Sequence, residues 1–235
     1  MKLESVVKYH SPRPDTFLTG SPRATSAPDN MTGKDVMAAL GFVIRRAPLG
    51  YSAFCGKMEL SQQDKKRAIR LLTAAGIRES VRYPALHKLP LAEREAIVAV
   101  IAGYAFLDYA RSAATELTCH KCEGNGFRKG KRCTKCQGKG FTRAACKDCK
   151  GRGESVNRMK TQLQGVPVYQ HCQRCGGRGF ERIASTIVFR AVCQVTDAIS
   201  LYVWNKSVKQ LLEFLTSELH MEEAWAEKQL LHVTK

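Results

Sequence analysis

The sequence predicts a mostly α protein: a helical core, a C-terminal helix-turn-helix and, between them, an inserted β-hairpin-rich, cysteine-rich region. Apolar residues recur at helical spacing on both sides of the insertion. Four CxxCxGxG repeats fall between residues 119 and 179. We therefore divide the 235 residues into a flexible N-terminal arm (1–30), a helical core (31–118), the insertion (119–180) and C-terminal helices (181–235).

The arm is rich in Ser, Pro and Thr and has no apolar period, which is typical of a flexible segment. Regular structure is predicted to begin near Thr32, where TGKD resembles a capping box, and Gly41 is expected to end this first helix. The next segment, PLGYSAFCGKM, has no helical pattern and is predicted to be irregular. Its Cys55 is expected to be a buried thiol.

Two longer helices complete the predicted core. Ser61 opens a capping pattern, SQQD, and an apolar stripe follows it as far as Ala75. A second helix, apolar on most sides, runs from Leu91 to about Ala110 and is expected to be buried. Beyond residue 183 we predict three further helices, over 185–195, 203–215 and 218–231. The first two of these resemble a helix-turn-helix.

The four repeats, which we number as knuckles one to four in chain order, indicate metal binding. Two cysteines from each of two knuckles supply the four thiolates of a tetrahedral zinc site, so the repeats predict two structural Zn²⁺ ions. Glycine suits the positive-φ positions of such tight turns. Redox CxxC motifs and disulfides are alternatives, but four Gly-rich knuckles in register favour zinc. The eight candidate ligands are Cys119, Cys122, Cys133, Cys136, Cys146, Cys149, Cys172 and Cys175.

The net charge of +17 points to a polyanionic partner, and double-stranded DNA is our first candidate. Residues 111–182 hold 17 Lys or Arg against 5 Asp or Glu. Asn, Gln, Lys and Arg are the residue types that contact base edges and phosphates. The candidate DNA contacts are Arg174, Arg178, Arg182, Arg190, Asn205, Lys206, Lys209 and Gln210.

Other classes of protein are disfavoured. The longest apolar stretch, 96–107, is too short to span a bilayer, and no apolar signal segment opens the chain, so we expect no membrane partner. Zinc held by four cysteines has no open position for a substrate or water. No nucleophile elbow, phosphate loop or carboxylate pair stands out, so we expect a protein that is not an enzyme.

Several stretches closely resemble the late-gene antitermination protein Q family of lambda-like phages: KLESVVKYHSP, SPRAT, DVMAA, AFCGKMELSQQDK, DYARSAAT and FRAV. The resemblance implies a factor that binds DNA at the phage late promoter. It implies loading onto host RNA polymerase, paused with its sigma factor, and suppression of pausing and termination in the host bacterial cytoplasm. Nascent RNA is a further candidate partner. A nucleic-acid-binding regulator without antitermination activity is the alternative.

The knuckles themselves are similar to the zinc domain of DnaJ co-chaperones, which makes a zinc chaperone module a second alternative. The chain has no HPD-bearing J domain to support it. The family pattern has one pair of CxxC knuckles and this chain has four, so the pairing is open. The family spacing suits sequential pairing, knuckles one with two and three with four. The DnaJ-like nested pairing, one with four and two with three, only extends the family hairpin, and we expect it.

Overall fold

A computed structural model describes residues 2–4 and 33–234. These residues form two compact units, one from the segments up to Ala110 and from Ser185 onward, the other from Arg111–Ala184. Apart from residues 2–4, the predicted flexible arm lies outside the described residues. The predicted insertion lies inside the second unit, and the predicted C-terminal helices belong to the first.

The described part of the first unit is helical. Its helices are α1 Gly33–Arg46, α2 Pro48–Lys57, α3 Gln62–Ser80, α4 Pro84–His87, α5 Leu91–Tyr109, α7 Ser185–Val192, α8 Leu201–Val203 and α9 Lys209–Val233, with a π-helical turn, Trp204–Val208, joining α8 to α9. Helix α6, Arg158–Gln164, belongs to the second unit. No helix among the described residues is long and apolar enough to cross a membrane.

Helix α9 organises the first unit, because α1, α2, α3 and α5 all pack against it. Its buried residues recur at helical spacing: Leu211, Leu212, Leu215, Thr216, Leu219, Ala226 and Leu230. Helix α5 buries one half of its circumference, including Ile97, Ile101 and Phe106. Leu91 and Leu107 are exposed, so the prediction that this helix is buried on most sides holds only for that half. The predicted cap of α3 is also confirmed, since the Ser61 hydroxyl accepts the Asp64 N–H at 3.1 Å.

Two predictions near the start of the core are wrong. Gly41 does not end the first helix, because α1 continues to Arg46 and buries Val36, Leu40 and Val43 on one face. The segment predicted to be irregular is helix α2, with Pro48 at its first position. Helix α2 has no apolar stripe because Leu49–Gly56 are all buried, so no polar face marks it in the sequence. Cys55 is buried, as expected.

Glycine in α2 allows unusually close packing on α9. A Cβ atom added at Gly50 would lie 1.9 Å from the carbonyl oxygen of Glu222, in the backbone of α9. Lys57 at the end of α2 donates to both carboxylate oxygens of Glu223, at 3.1 and 3.0 Å, and the Tyr109 hydroxyl of α5 donates at 2.9 Å. Burial and the Glu223 carboxylate raise the pKa of Tyr109, so its hydroxyl stays protonated and continues to donate. One carboxylate thus joins three helices.

The structure does not confirm the C-terminal helix-turn-helix. Residues 193–200 separate α7 from α8, whereas the turn of such motifs spans about three to four residues. The predicted break between 215 and 218 is absent, since α8, the π-helical turn and α9 run on from Leu201 to Val233. The buried face of this continuous helix extends through both predicted helices, from Leu211 to Leu230.

The second unit contains three two-stranded antiparallel sheets, which pair β1 with β4, β2 with β3 and β5 with β6. The strands are β1 Glu116–Thr118, β2 Phe127–Arg128, β3 Lys131–Arg132, β4 Phe141–Arg143, β5 Glu154–Val156 and β6 Tyr169–His171. Between knuckles three and four, β5 and β6 form a hairpin with α6 in the connection.

Two glycine variants should change stability in opposite directions. Gly50→Ala is expected to lower the free energy of unfolding by about 1–3 kcal/mol, because the new methyl group meets the α9 backbone. Gly41→Ala is expected to raise it by about 0.5–1 kcal/mol, since nothing lies within 4 Å of that Cβ position and Ala favours a helix. Urea unfolding of both variants measures this. Equal shifts of the same sign would contradict the packing described for α2.

Candidate metal centres and nucleic-acid interface

Both candidate metal centres lie in the second unit, and each consists of four buried cysteines whose sulfur atoms all lie within 4.8 Å of one another. We name residues 116–143 the first cysteine module and residues 144–181 the second cysteine module. The two groups are Cys119, Cys122, Cys133 and Cys136 in the first module and Cys146, Cys149, Cys172 and Cys175 in the second.

The sulfur–sulfur distances fit a metal ion rather than disulfides. In the first module the Sγ atoms are 3.8 Å apart for Cys119 and Cys133, and 3.6 Å apart for Cys122 and Cys136. The equivalent distances in the second module are 3.9 and 3.7 Å. Four thiolates about 2.3 Å from a central zinc ion would be about 3.8 Å apart, whereas a disulfide requires about 2.05 Å. Each donor set therefore suits a tetrahedral, closed metal site.

Backbone hydrogen bonds tie the two knuckles of each module together in both directions. The Cys119 N–H donates to the Gly140 carbonyl at 2.9 Å, and the Cys133 N–H donates to the Gly126 carbonyl at 2.8 Å. In the second module the first cysteine of each knuckle likewise donates to the last glycine of the other knuckle, at 2.8 Å in both cases. Each knuckle thus donates one backbone hydrogen bond to its partner knuckle and accepts one from it.

The last glycine of each knuckle lies against the partner's backbone. A Cβ atom at Gly126 would lie 2.4 Å from the Gly138 carbonyl oxygen, and one at Gly140 would lie 2.3 Å from that of Gly124. The second module repeats the two approaches at 2.3 and 2.5 Å. With φ angles of 73° and 78°, Gly126 and Gly140 also occupy the left-handed region. The glycine tail of the motif is therefore part of the knuckle–knuckle contact.

Backbone N–H groups also point at the sulfur atoms. The Gly126 N–H donates to the Cys122 sulfur at 3.2 Å, and the Gly140 N–H donates to the Cys136 sulfur at 3.3 Å. The second module has the same two bonds, both at 3.3 Å. Such bonds favour the thiolate form, which is the form that binds a metal.

The donor sets are partly prepared for ionisation. Backbone N–H groups of Cys136 and Lys135 lower the pKa of Cys133 to about 6. Burial, and next the Cys136 thiol, raise the pKa of Cys122 to about 11. Burial also acts to raise the pKa of Cys149, but backbone N–H groups outweigh it and lower the value to about 7. Four thiols this close resist full ionisation, and a central divalent cation would remove that resistance.

The nested pairing of knuckles is wrong, and the sequential pairing is the one observed. Strand β1 pairs with β4, placing Thr118 opposite Phe141, and so closes the first module before knuckle three begins. Strands β2 and β3 fold knuckle two back onto knuckle one, and β5 and β6 do the same for knuckles three and four. Each knuckle therefore meets its neighbour in the chain.

The predicted DNA-contacting residues are distributed over both units. Arg174, Arg178 and Arg182 belong to the cysteine-rich unit, and Arg190 lies in α7 of the helical unit. The remaining four share one stretch of helix, the π-helical turn and the start of α9: Asn205, Lys206, Lys209 and Gln210. Within that stretch Lys209 is half-buried and the other three are exposed.

Carboxylates lie beside Arg174 and Lys209. The Arg174 guanidinium lies 3.4 Å from Asp148 and 3.2 Å from Glu181, and Lys209 lies 3.5 Å from Glu213. A phosphate would compete with these ion pairs. The partners of Arg174 could not be predicted, because Asp148 belongs to knuckle three and Glu181 follows knuckle four, and only the fold of the second module brings them together.

The pairing of knuckles can be tested by metal content. Cys122→Ser with Cys136→Ser removes two ligands from the first module alone, so about one ion per chain should remain. Cys136→Ser with Cys149→Ser removes one ligand from each module, and both ions should be lost. Elemental analysis of the purified variants measures this. The reverse result, loss of both ions from the first variant and retention of one by the second, would restore the nested pairing.

Thiol labelling should follow burial. Cys193 is exposed and should react first with iodoacetamide at pH 8 in metal-loaded protein. Chelation should then release the eight clustered thiols. Burial raises the pKa of Cys55 to about 11, so roughly one thiol in a thousand is ionised at pH 8, and labelling should require denaturation. Intact-mass spectrometry counts the adducts. Labelling of Cys55 in the native, chelated protein would contradict its placement in the core.

Comparisons with known proteins agree over the whole chain. A family model described as antitermination protein Q matches residues 25–113 and 141–227. Antitermination protein Q of Escherichia phage lambda is 37% identical over 235 residues, and that of Salmonella phage P22 is 36% identical over 235 residues. The prophage antitermination protein Q homolog QuuQ of Escherichia coli (strain K12) is 35% identical over 256 residues. Each alignment covers 100% of both chains.

The matched ranges include the helices of the first unit, with α9 as far as residue 227, and all four cysteines of the second module. They leave out residues 114–140, which hold the four cysteines of the first module. The resemblance of the scattered sequence stretches is thereby confirmed. The chain belongs to the antitermination protein Q family.

Proposed function

We propose that this chain is a phage late-gene antitermination factor. In this proposal it binds double-stranded DNA at a late promoter, loads onto host RNA polymerase paused with its sigma factor, and suppresses pausing and termination. The observation that carries the proposal is the full-length similarity to proteins named antitermination protein Q, which extends through both units. The protein acts by binding rather than catalysis, in the host bacterial cytoplasm where the polymerase works.

The metal in both modules is, in this proposal, zinc. Four thiolates at tetrahedral spacing with no water position are the donor set of a structural zinc site. When bound, the ion would contribute folding free energy and charge compensation and no catalytic chemistry. The four cysteines of the second module lie within the range matched by the family, so we assign that site to the shared scaffold.

Contacts to DNA are proposed for exposed polar residues that carry no competing ion pair. Asn205 and Lys206 are exposed on the π-helical turn, and Gln210 is exposed one turn further on. Asparagine and glutamine can hydrogen-bond adenine edges, and lysine can contact guanine or phosphate. Arg190, also exposed, supplies a further phosphate contact. The carboxylates beside Lys209 and Arg174 make these two the weaker candidates.

The decisive experiment is transcription in vitro on a template with the cognate phage late promoter and a downstream terminator. Addition of the metal-loaded protein should increase terminator read-through. The variant Asn205→Ala with Lys206→Gln should lose most of this read-through and bind the promoter DNA about tenfold or more weakly, because a base contact and a phosphate contact are removed. Metal content and thermal unfolding should remain those of the unaltered chain.

Lys66→Gln with Arg70→Gln is the matched control, since both side chains are exposed on α3 and have no assigned role. It should retain DNA binding and read-through. Promoter binding without read-through by the unaltered protein would favour a DNA-binding regulator over an antitermination factor. Unchanged activity of the Asn205 and Lys206 variant would reject the proposed DNA contacts and leave antitermination standing.

A further inference from the structure

The first cysteine module has a positive surface that no carboxylate neutralises. Its segment outside the family match, 114–140, contains seven Lys or Arg residues and two Glu residues. All seven cations are exposed, and no acidic residue in the described part of the chain forms a salt bridge with any of them. They are Lys121, Arg128, Lys129, Lys131, Arg132, Lys135 and Lys139.

Of the seven Lys and Arg residues in the second module, two form salt bridges with carboxylates. Arg174 is held by Asp148 and Glu181, and Lys147 lies 4.0 Å from the same Glu181. The two modules share the same backbone hydrogen bonds and the same glycine contacts. The unpaired charge of the first module is therefore not required by the shared fold, and an external anion is the partner that it lacks.

A hairpin holds four of these cations together with an aromatic ring. Strands β2 and β3 place Phe127 opposite Arg132 and Arg128 opposite Lys131. The turn between them has positive φ at both central residues, 51° at Lys129 and 73° at Gly130, which is the hairpin turn that matches strand twist. Phe127 is 56% exposed, although it is a large apolar side chain on a two-stranded hairpin. The ring is available to a ligand.

The cations surround a shallow cleft of about 440 Å³ beside the hairpin. Lys121 closes one side, where its ammonium donates to the Thr134 hydroxyl at 3.2 Å. The cleft is lined by Lys121, Arg128, Lys129, Lys131, Arg132, Cys133 and Thr134. A concave surface of cations suits a phosphodiester backbone, because each neutralised phosphate releases counterions.

We propose that the hairpin of the first cysteine module binds single-stranded nucleic acid. The cleft cations contact successive phosphates, and an unpaired base stacks on the Phe127 ring. Stacking selects single strands because the bases of a duplex already stack on each other, whereas a splayed base has a free face. The binding is a property of this module alone and does not depend on antitermination activity.

The test is a fluorescence-anisotropy titration of the full, metal-loaded chain without polymerase. The probes are a labelled 12-nucleotide RNA of mixed sequence, the DNA strand of the same sequence and the corresponding DNA duplex, each at several salt concentrations. Phe127→Ala should weaken binding to both single strands about tenfold and leave duplex binding unchanged. Arg128→Gln with Arg132→Gln should weaken single-strand binding and lower the salt slope by about 1.4, for two lost phosphate contacts.

Two control variants remove side chains of the same type outside the hairpin. Leu163→Ala removes an apolar side chain that is 84% exposed in the second unit, and Lys66→Gln with Arg70→Gln removes two exposed cations from α3. Both should bind single strands normally. Every variant should retain the metal content of the unaltered chain. If Phe127→Ala loses metal, single-strand binding by the Arg128→Gln, Arg132→Gln variant tests the proposal instead.

The proposal fails if the hairpin variants bind single strands as tightly as the controls do, since the cations would then be only solvated. It also fails if Phe127→Ala weakens duplex and single-strand binding equally, because stacking would not be the basis of recognition. Tighter binding of RNA than of DNA would support the proposal and indicate a transcript as the ligand. Equal binding of RNA and single-stranded DNA would also support the proposal, and a displaced DNA strand would then be a second possible ligand. Loss of read-through in the transcription assay is a separate result, because no polymerase is present here.

Discussion

The cysteine-rich unit depends on one reciprocal contact, in which the first cysteine of each knuckle donates its N–H to the last glycine of the partner knuckle. That contact places four sulfur atoms around one point and brings glycine against backbone where no Cβ would fit. The buried nonpolar side chains in the described part of this unit are the eight cysteines and Ala144. A unit with so small an apolar core needs another source of stability, and metal coordination is the one its donor sets provide.

The helical unit is held by a different constraint, the close approach of α2 to α9. Gly50 permits backbone contact with α9, and one carboxylate, Glu223, receives hydrogen bonds from Lys57 and Tyr109 on two other helices. This unit buries large apolar side chains such as Trp204, Phe106 and Leu215, so its stability comes from a hydrophobic core. Loss of metal should therefore act first on the knuckles.

Helix α3, helix α5 and the presence of two four-cysteine sites followed from local patterns: a cap, an apolar period and a repeated spacing. Helix α2 could not be found this way, because it is buried on all sides and its periodicity disappears. Gly41 reads as a helix stop, but tertiary packing of α1 overrides its weak propensity. The pairing of knuckles depends on strands of two or three residues, too short to leave a pattern.

The two modules show which features the fold demands and which it leaves free. Cysteines and glycines satisfy the backbone and sulfur geometry in both, so the other positions of each knuckle can vary in charge at little structural cost. In the second module Asp148 and Glu181 form salt bridges with Arg174 and Lys147, whereas the hairpin of the first module carries four cations that have no carboxylate partner among the described residues. Like charges gathered on a hairpin repel one another and oppose folding. An anionic ligand would remove that repulsion, which makes the charge of this hairpin better explained by what it binds than by how it folds.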